Sequence, residues 1–491
     1  MTAVSGSTTA RAWASLLTIT ALVIVSAPAA AQDGGKASQT TLVERLRQLV
    51  SKAALGDGVG ISVVNLRSGR EVFSHHAHRG LNPASNMKLV TAAAALARLG
   101  PEFRTRTGLY GRQEGDGIVG GLYLKGFGDP LLTEGDLIGL AQSLARRGIK
   151  RVDELIVDAT YFDDQVLPPA FEQQPDEVSP FRAAIAAVAV DRSAYSLRVS
   201  PGSAVGKPGR VHLSGSGYFE VHNATTTSAA GAPRIIAIQR ANEGRLDLKL
   251  RGTVPAGISG VTYRRRVASP AHFAGHVMID ALRALRIAVP RRVRLGTRPS
   301  RAPLIVSHRS PPLSHVLASL GKKSDNFVAE MVLKTLGAEK AKRPGSSAGG
   351  VEVTLEFLKE LGLPMSKISM VNGSGLFDGN RLAAAHLTKL LGAVYAMPDI
   401  RAEYVAHLAI GGADGTLKRR LTQLPAARIV HAKTGTLSDA IALSGYVLGP
   451  TPDRTFAFAF LANGVRGKHH ATRGLADAIV TAIAEHLYAH K

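Results

Sequence analysis

The two ends of this chain constrain its fold more than anything between them. The leucine spacing of 41–54 predicts a helix near the start, and 472–490 predicts an amphipathic helix at the end. We therefore expect one α/β domain whose antiparallel sheet uses both ends of the chain. Its strands are predicted from apolar runs at 58–65, 71–75, 429–434, 442–448 and 455–463.

The middle of the chain differs from its ends in glycine content and in the length of its apolar runs. Between 103 and 300, glycine is frequent and strand-like runs are short. Because 491 residues exceed one ordinary core, this part is predicted to be one or two β-rich domains inserted into the α/β domain. Its clearest strand-like runs are 121–125, 154–158, 196–199 and 246–250, and helical patterns return at 313–320, 327–336, 353–361 and 383–395.

The first 31 residues have the pattern of a secretory signal peptide. Arg11 supplies positive charge, an apolar run follows at 13–25, and three alanines after Pro28 form a small-residue cleavage site. Cleavage there leaves Gln32 as the first mature residue, and an uncleaved anchor is the alternative. No later run approaches the ~18 apolar residues of a spanning helix. We expect an exported, periplasmic protein, soluble or loosely associated with the envelope.

The absence of cysteine excludes disulfides, thiolate catalysis, a lipid-modified cysteine anchor and cysteine-ligated metal sites. Histidines cluster at 75–78 and at 469–470. Glu71 and His75 lie on one predicted strand, where four residues span roughly 13 Å and cannot share an ion. Both clusters are interpreted as solvated surface, so no metal site is expected.

The chain is strongly basic, with 60 Lys and Arg against 37 Asp and Glu and a formal net charge of +23. Such a balance favours polyanionic partners. Because the protein is expected to be exported, anionic cell-envelope polymers fit better than nucleic acid. The competing interpretation is a compositional bias with no partner.

Ser85 and Lys88 form the first candidate catalytic motif, at the start of a predicted Ala-rich helix. Residues three apart on a helix share a face, so the amine can reach the hydroxyl. A serine needs an adjacent base, and a lysine can serve when a second cation or desolvation lowers its pKa. The helix N-terminus also offers N–H groups to a developing oxyanion. Ser319 and Lys322 share this spacing, so the motif alone is a weak signal.

The second motif is Ser324, Asp325 and Asn326, in the break between two predicted helices. A hydroxyl and an amide at alternate positions can point into one cleft. Ser324 could relay a proton to a leaving amine, while Asn326 could hold Lys88 and a substrate carbonyl. A plain helix N-cap is the competing interpretation, because Ser, Asp and Asn are the preferred capping residues.

The third motif is Lys433, Thr434, Gly435 and Thr436, at the end of a predicted strand. The amine and the hydroxyl suit a substrate carboxylate. Glycine lets the strand approach a ligand backbone closely. An ordinary exposed strand end is the alternative for the isolated tetrapeptide.

Together, Ser-x-x-Lys, Ser-Asp-Asn and Lys-Thr-Gly resemble the motifs of penicillin-binding proteins and class A β-lactamases. The long gap between Lys88 and Ser324 is similar to that of the class C low-molecular-mass penicillin-binding proteins, the D-alanyl-D-alanine carboxypeptidase/endopeptidases. That family has two inserted domains. The other stretches that resemble it are 126–131, 157–162, 186–202, 372–376, 380–381, 412–417 and 431–446.

The resemblance implies an α/β (α+β) penicillin-binding/β-lactamase-like transpeptidase domain. Its antiparallel sheet is flanked by helices, and two nested β-rich domains are inserted. The predicted divisions are a signal peptide at 1–31, the catalytic domain at 32–104 and 298–491, inserted domain II at 105–187 and 269–297, and inserted domain III at 188–268.

By the same resemblance, Ser85 is the acyl-accepting nucleophile and Lys88 its base. Lys433 and Thr434 would hold the terminal carboxylate, and the N–H groups of Ser85 and Thr436 would form the oxyanion hole. The implied substrates are D-Ala-D-Ala stem peptides or cross-links of peptidoglycan, with β-lactams as covalent inhibitors and no cofactor. The implied site consists of catalytic Ser85, Lys88, Ser324 and Asn326, and substrate-binding Lys433, Thr434, Gly435 and Thr436.

Two positions depart from the family pattern, since Asp378 and Ser438 stand where similar members carry Arg and Gln. Both positions resemble part of the pocket for the acidic side chain of the donor peptide, which Asp158 and Phe162 are also expected to line. Asp378 would repel a carboxylate, so the diamino acid of the stem peptide stays open.

Two other functions compete with the carboxypeptidase. One is a β-lactamase, although no class A-like glutamate loop stands between the motifs. The other is an inactive wall-binding scaffold, although all three motifs are intact. The preference for carboxypeptidase or endopeptidase action, the oligomeric state and the partner of the basic surface also stay open.

Overall fold

The computed structural model describes residues 31–341 and 343–489, so the predicted signal peptide lies outside it apart from Ala31. No helix in these ranges is both long enough and apolar enough to cross a membrane. The α-helices described are α1 (Ala31–Ala53), α2 (Met87–Leu99), α3 (Glu134–Arg146), α4 (Pro270–Ala284), α5 (Leu313–Lys322), α6 (Asn326–Leu336), α7 (Ser347–Glu360), α8 (Ala384–Tyr395), α9 (Pro398–Ala406) and α10 (His469–Tyr488).

The strands form four sheets, two larger and two with three strands each. They are β1 (Val59–Asn65), β2 (Glu71–His75), β3 (Arg106–Glu114), β4 (Gly117–Gly126), β5 (Arg151–Val152), β6 (Leu155–Asp158), β7 (Ala194–Ser200), β8 (Arg210–His212), β9 (Phe219–Ser228), β10 (Arg234–Asn242), β11 (Arg245–Pro255), β12 (Val261–Arg266), β13 (Val293–Leu295), β14 (Leu304–Arg309), β15 (Ala409–Ile410), β16 (Val430–Leu437), β17 (Ala440–Leu448) and β18 (Thr455–Asn463).

The first large sheet joins the two ends of the chain, as predicted. Its strand order is β15-β16-β17-β18-β1-β2, and every neighbouring pair is antiparallel. The junction is the β1–β18 pair, in which Val63 lies opposite Phe458. The predicted helix-flanked antiparallel sheet is therefore confirmed.

Helices cover both faces of this sheet. On one face, α1 and α10 pack against it through residues such as Leu46 and Ile479. On the other face, α2, α5, α6, α7 and α8 form a larger core that includes Tyr446. Because β17 and β18 are buried on both faces, their sequences are almost continuously apolar instead of alternating.

The middle of the chain builds the other three sheets. The larger one has the order β13-β6-β4-β3-β14, with β5 beside β4, and the smaller ones are β10-β11-β9 and β12-β7-β8. Two helices that the sequence analysis did not predict, α3 and α4, also pack on these sheets. The α3 signal was present, because Leu137, Leu140 and Leu144 share one buried face after the Thr133 cap.

One strand bears on the predicted domain boundaries. β14 lies beyond residue 298, in the part assigned to the catalytic domain, yet it pairs with β3 in the sheet of the insertion. The division into three domains stays a prediction, with β14 at the junction.

Candidate active site

Ser85 lies on a short 3₁₀ turn, Ala84–Asn86, that leads directly into α2. Ala84 has a φ of 47°, in the left-handed region that is costly for a residue with a Cβ. The Asn82 side chain supports this turn, because its Oδ1 accepts the Ala84 N–H at 2.9 Å. The turn holds Ser85 half-buried at the mouth of a cleft.

Lys88 lies one turn further along and is completely buried. Its Nζ donates to Ser85 Oγ at 3.0 Å, to Asn326 Oδ1 at 2.7 Å and to the Ser374 carbonyl at 2.6 Å. Burial lowers the pKa of Lys88 to about 7, against the opposing charges of Glu330 and Asp325. The amine thus reaches the hydroxyl, as the i, i+3 spacing predicted.

Ser324, Asp325 and Asn326 form the turn between α5 and α6. Asp325 caps α6, since its Oδ1 accepts the Val328 N–H at 3.2 Å. Ser324 and Asn326 line the cleft on either side of it. Asp325 therefore has the position predicted for a helix cap, while Ser324 and Asn326 have the position predicted for a cleft.

Lys433 lies in the middle of β16 and not at the end of a strand, because β16 continues to Leu437. The two-residue β15 pairs with β16 only at His431 and Ala432, so the following residues form an open edge beside the cleft. The Lys433 Nζ donates to Ser324 Oγ at 2.8 Å. Burial first, and then the charge of Lys88, lower the pKa of Lys433 well below its ordinary value.

Gly435 brings this edge against the turn that carries Ser85. A Cβ at this position would lie 3.0 Å from the Ala84 Cβ and 3.1 Å from the Ser85 nitrogen. Thr434 follows the same edge, and its Oγ1 bonds to Thr416 Oγ1 at 2.8 Å. The close approach therefore requires glycine at 435.

The cleft has a volume of about 950 Å³. Ser85, Ser324, Asn326 and Thr436 line it, so the structure brings the three motifs together. The cleft is also lined by residues outside the three motifs, which include Gln173, Phe181, Arg381, Ser438, Asp439, His469 and Arg473.

Asp158 and Phe162 do not face the cleft, which corrects their predicted role in substrate binding. The Asp158 side chain is fully buried and accepts hydrogen bonds from Lys125 Nζ at 2.7 Å and from the Arg298 N–H at 2.8 Å. Phe162 is buried beside Gly128. Asp158 is the last residue of β6, in the large sheet of the insertion, whereas Phe162 follows that strand and packs into the core that contains α2, α5 and α6.

Asp378 does line the cleft, but its charge is not isolated as the sequence suggested. Arg381 Nη1 lies 2.5 Å from Asp378 Oδ1, and this pair lowers the pKa of Asp378. The Asn82 amide donates to the same oxygen at 3.1 Å. An aspartate three residues before an arginine indicates an ion pair of this kind, which the sequence analysis did not predict.

The histidine clusters differ from each other. His75 and His76 stack on each other outside the cleft, at 4.2 Å between ring centres. His469 lines the cleft and its Nε2 lies 3.0 Å from the Leu437 carbonyl oxygen, so the purely solvated interpretation was wrong for it. In the described part of the chain, no group of His, Asp and Glu side chains could hold a metal ion.

Comparisons with known proteins show which family the sequence resembles. The model of the D-Ala-D-Ala carboxypeptidase 3 (S13) family matches residues 42–486. A D-alanyl-D-alanine carboxypeptidase of Actinomadura sp. (strain R39) is 35% identical over 498 residues, which cover 97% of this chain and 91% of that protein. D-alanyl-D-alanine carboxypeptidase DacB of Haemophilus influenzae is 25% identical over 428 residues, which cover 85% and 87%.

The fold also matches a solved structure. Penicillin binding protein 4 (dacB) from Haemophilus influenzae superposes with a TM-score of 0.76 at 23% identity, covering 90% of this chain and 99% of that chain. The predicted penicillin-binding fold is thus confirmed, and so is the predicted resemblance. On the match over 42–486 and the identity to the Actinomadura enzyme, this chain belongs to the D-Ala-D-Ala carboxypeptidase 3 (S13) family.

Proposed function

We propose that this enzyme hydrolyses D-Ala-D-Ala stem peptides and cross-links of peptidoglycan through an acyl-enzyme on Ser85. One observation carries the assignment of roles. The buried amine of Lys88 lies 3.0 Å from Ser85 Oγ, and its pKa of about 7 leaves a useful fraction neutral at neutral pH. A neutral amine at this distance can accept the hydroxyl proton.

In the acylation step, Ser85 Oγ forms a bond to the D-Ala carbonyl carbon while its proton passes to Lys88. The N–H groups of Ser85 and Thr436 stabilise the resulting oxyanion. The peptide C–N bond then breaks, and the leaving amine receives a proton through Ser324, whose Oγ lies 2.8 Å from Lys433 Nζ.

In the second step, water attacks the ester and releases the acyl peptide, which regenerates the Ser85 hydroxyl. Lys433 and the Thr434 hydroxyl bind the carboxylate next to the scissile bond, and Asn326 orients Lys88. Carboxypeptidase and endopeptidase action use this same acyl-enzyme. They differ only in the amine that leaves.

Covalent labelling tests the nucleophile. Protein starting at Gln32 is incubated with a fluorescent penicillin, separated by denaturing electrophoresis and mapped to peptides. We expect a stable label on Ser85, which Ser85→Ala abolishes and the matched control Ser319→Ala retains. Ser319 is a suitable control because the neighbouring Lys322 Nζ bonds to Asp414, at 2.7 Å, and to the Leu408 carbonyl.

The labelling result also separates the competing functions. Rapid β-lactam hydrolysis without a stable label would favour a β-lactamase. Folded protein that neither acquires label nor hydrolyses the β-lactam would favour an inactive scaffold. A label on a serine other than Ser85 would reject the assignment of the nucleophile.

We also propose export to the periplasm, supported by the signal pattern at 1–31 and by the cell-wall substrate of the family. Fractionation of cells that produce the full chain tests this. Protein of mature mass should appear in the periplasmic fraction, and retention of the full-length chain in the cytoplasm would contradict it.

A second proposal concerns anionic cell-envelope polymers. Arg198 and Arg210 border a groove beside β7 and β8, and neither forms an ion pair with a residue that the structure describes. Binding to purified sacculi, measured by pelleting, should weaken steeply as salt rises. Arg198→Ala/Arg210→Ala should reduce it, and a flat salt dependence would contradict the proposal.

A further inference from the structure

Glu330 is a completely buried carboxylate that belongs to none of the three motifs. It lies one turn after Asn326 on α6, on the side of the helix that faces α2. Glutamate is almost never fully buried unless it is paired. The partners of Glu330 therefore indicate its role.

Those partners are two backbone N–H groups next to the catalytic lysine. Ser374 N donates to Oε1 at 2.7 Å, and Gly373 N donates to Oε2 at 3.2 Å. Each oxygen thus accepts a hydrogen bond. Burial raises the pKa of Glu330, whereas the hydrogen bonds from Ser374 and Gly373 and the charge of Lys88 oppose that rise and favour the ionised carboxylate. The carbonyl of the same Ser374 accepts the Lys88 amine at 2.6 Å. Glu330 and Lys88 are therefore joined through a single residue.

Further hydrogen bonds fix the residues on either side of Ser374. Thr91 on α2 donates to the Gly373 carbonyl at 2.8 Å, and Asn372 Oδ1 accepts the Gly375 N–H at 2.9 Å. With Glu330 on α6, these contacts hold the Ser374 carbonyl in one position. A displaced carbonyl would release one of the three acceptors that orient the Lys88 amine.

Three charged groups surround Lys88, two from α6 and its N-cap and one from β16. They are Glu330 on α6, Asp325 at the N-cap of α6, and Lys433 on β16. Asp325 already pairs with Arg192, at 2.7 Å. Glu330 forms no ion pair with any residue in the described ranges, so its charge acts on Lys88 without a cation of its own.

We propose that Glu330 is a positioning residue with two effects on Lys88: it fixes the Ser374 carbonyl against the amine, and its negative charge sets the pH at which the amine becomes a base. The proposal rests on the proposed role of Lys88. Burial lowers the pKa of Lys88, and among the opposing charges that of Glu330 is the largest.

Two substitutions separate the two effects. Glu330→Gln keeps the size of the side chain and removes its charge. Glu330→Asp keeps the charge and withdraws the oxygens by one methylene. Glu360→Gln is the matched control, because it removes an exposed glutamate of the same domain that pairs only with Arg98. Its charge is screened by solvent and should not reach Lys88.

The measurement is the second-order rate constant of acylation by a fluorescent penicillin as a function of pH. In the wild type, the rate should rise with pH through the pKa of Lys88, about 7. In Glu330→Gln, this rise in rate, the acid limb of the pH profile, should move to lower pH by about one unit. The reason is that the ammonium form of Lys88 loses a stabilising negative charge, which lowers the pKa of the amine. In Glu330→Asp, the limb should stay in place while the rate falls roughly tenfold.

An acid limb of Glu330→Gln at the wild-type pH would overturn the electrostatic part of the proposal, and a full wild-type rate in Glu330→Asp would overturn the positioning part. If Glu330→Gln does not fold, the Glu330→Asp rate alone decides. Failure of the wild type to acquire label would contradict the proposed function itself, which keeps the two failures apart.

Discussion

At the scale of single residues, the site is dominated by two lysines that are both withdrawn from water. Lys88 and Lys433 are completely buried, and each is held by oxygen acceptors from a different element. Burial and the mutual repulsion of the two amines disfavour a positive charge on both of them at once. One amine can therefore be neutral at neutral pH, which a serine nucleophile requires.

The pH dependence of acylation follows from this. Lys88 is active when neutral, and its lowered pKa is about 7. Its rate contribution should therefore be lost as the pH falls through about 7 and be complete above it. Stopped-flow acylation over a pH series checks this, and a rate that is constant from pH 6 to 8, roughly one unit either side of this pKa, would contradict the role of Lys88.

Lys433→Met is expected to affect catalysis far more than folding. The substitution replaces a buried amine, whose charged form burial disfavours, by an apolar side chain of similar length, so the fold should lose little stability. It also removes a cation from the carboxylate site, so acylation should slow by roughly 10²-fold. Thermal unfolding and labelling rates measure the two effects. A variant that labels normally would contradict a role for Lys433 in the site.

At the scale of secondary structure elements, the catalytic turn between α5 and α6 depends on the inserted part of the chain. Arg192 Nε contacts Asp325 Oδ2 at 2.7 Å, and the Asn326 amide donates to the Phe181 carbonyl at 3.0 Å. Arg192 is the middle residue of three with positive φ, at 51°, 62° and 51°. Such backbone persists only where surrounding contacts hold it.

Arg192→Ala should therefore slow acylation roughly tenfold, because the Ser324–Asn326 turn loses a support and drifts from its position. Arg294→Ala is the control, since it removes an exposed ion pair with Glu154 in the same insertion. Labelling rates and thermal unfolding are compared for both variants. Equal labelling rates in the two variants would show that the turn is stable without Arg192.

At the scale of the whole molecule, the buried apolar residues fall into separate cores. Two of them cover the faces of the sheet that joins the chain ends, and a third lies within the insertion. The elements that carry the three motifs, α2, α5, α6 and β16, pack into the first two cores, while the insertion contributes lining residues such as Gln173 and Phe181 to the cleft.

Calorimetry should therefore resolve two unfolding transitions. Acylation of Ser85 by a β-lactam should raise the transition of the catalytic sheet and leave that of the insertion almost unchanged, because a ligand stabilises only the unit that binds it. The control is Ser85→Ala mixed with the same β-lactam, because this variant has no hydroxyl at position 85 and cannot be acylated there. A single transition that moves as a whole would mean that the cores unfold together.

The sequence alone predicted the three motifs that meet at the cleft and most of the elements that hold them. The Ser85–Lys88 contact follows from helical spacing, and the Asp325 cap from residue type, because both depend on short separations along the chain. The apolar runs at 442–448 and 455–463 likewise predicted the strands β17 and β18.

Only the tertiary structure decided how distant residues meet. Glu330 reaches Lys88 through Ser374, and Arg192 contacts Asp325 across 133 positions, and neither pairing has a local sequence signal. The burial of Asp158 is decided in the same way, because its partners Lys125 and the Arg298 N–H come from distant parts of the chain. Short spacings are encoded in the chain, whereas contacts between distant segments are set by the packing of whole elements.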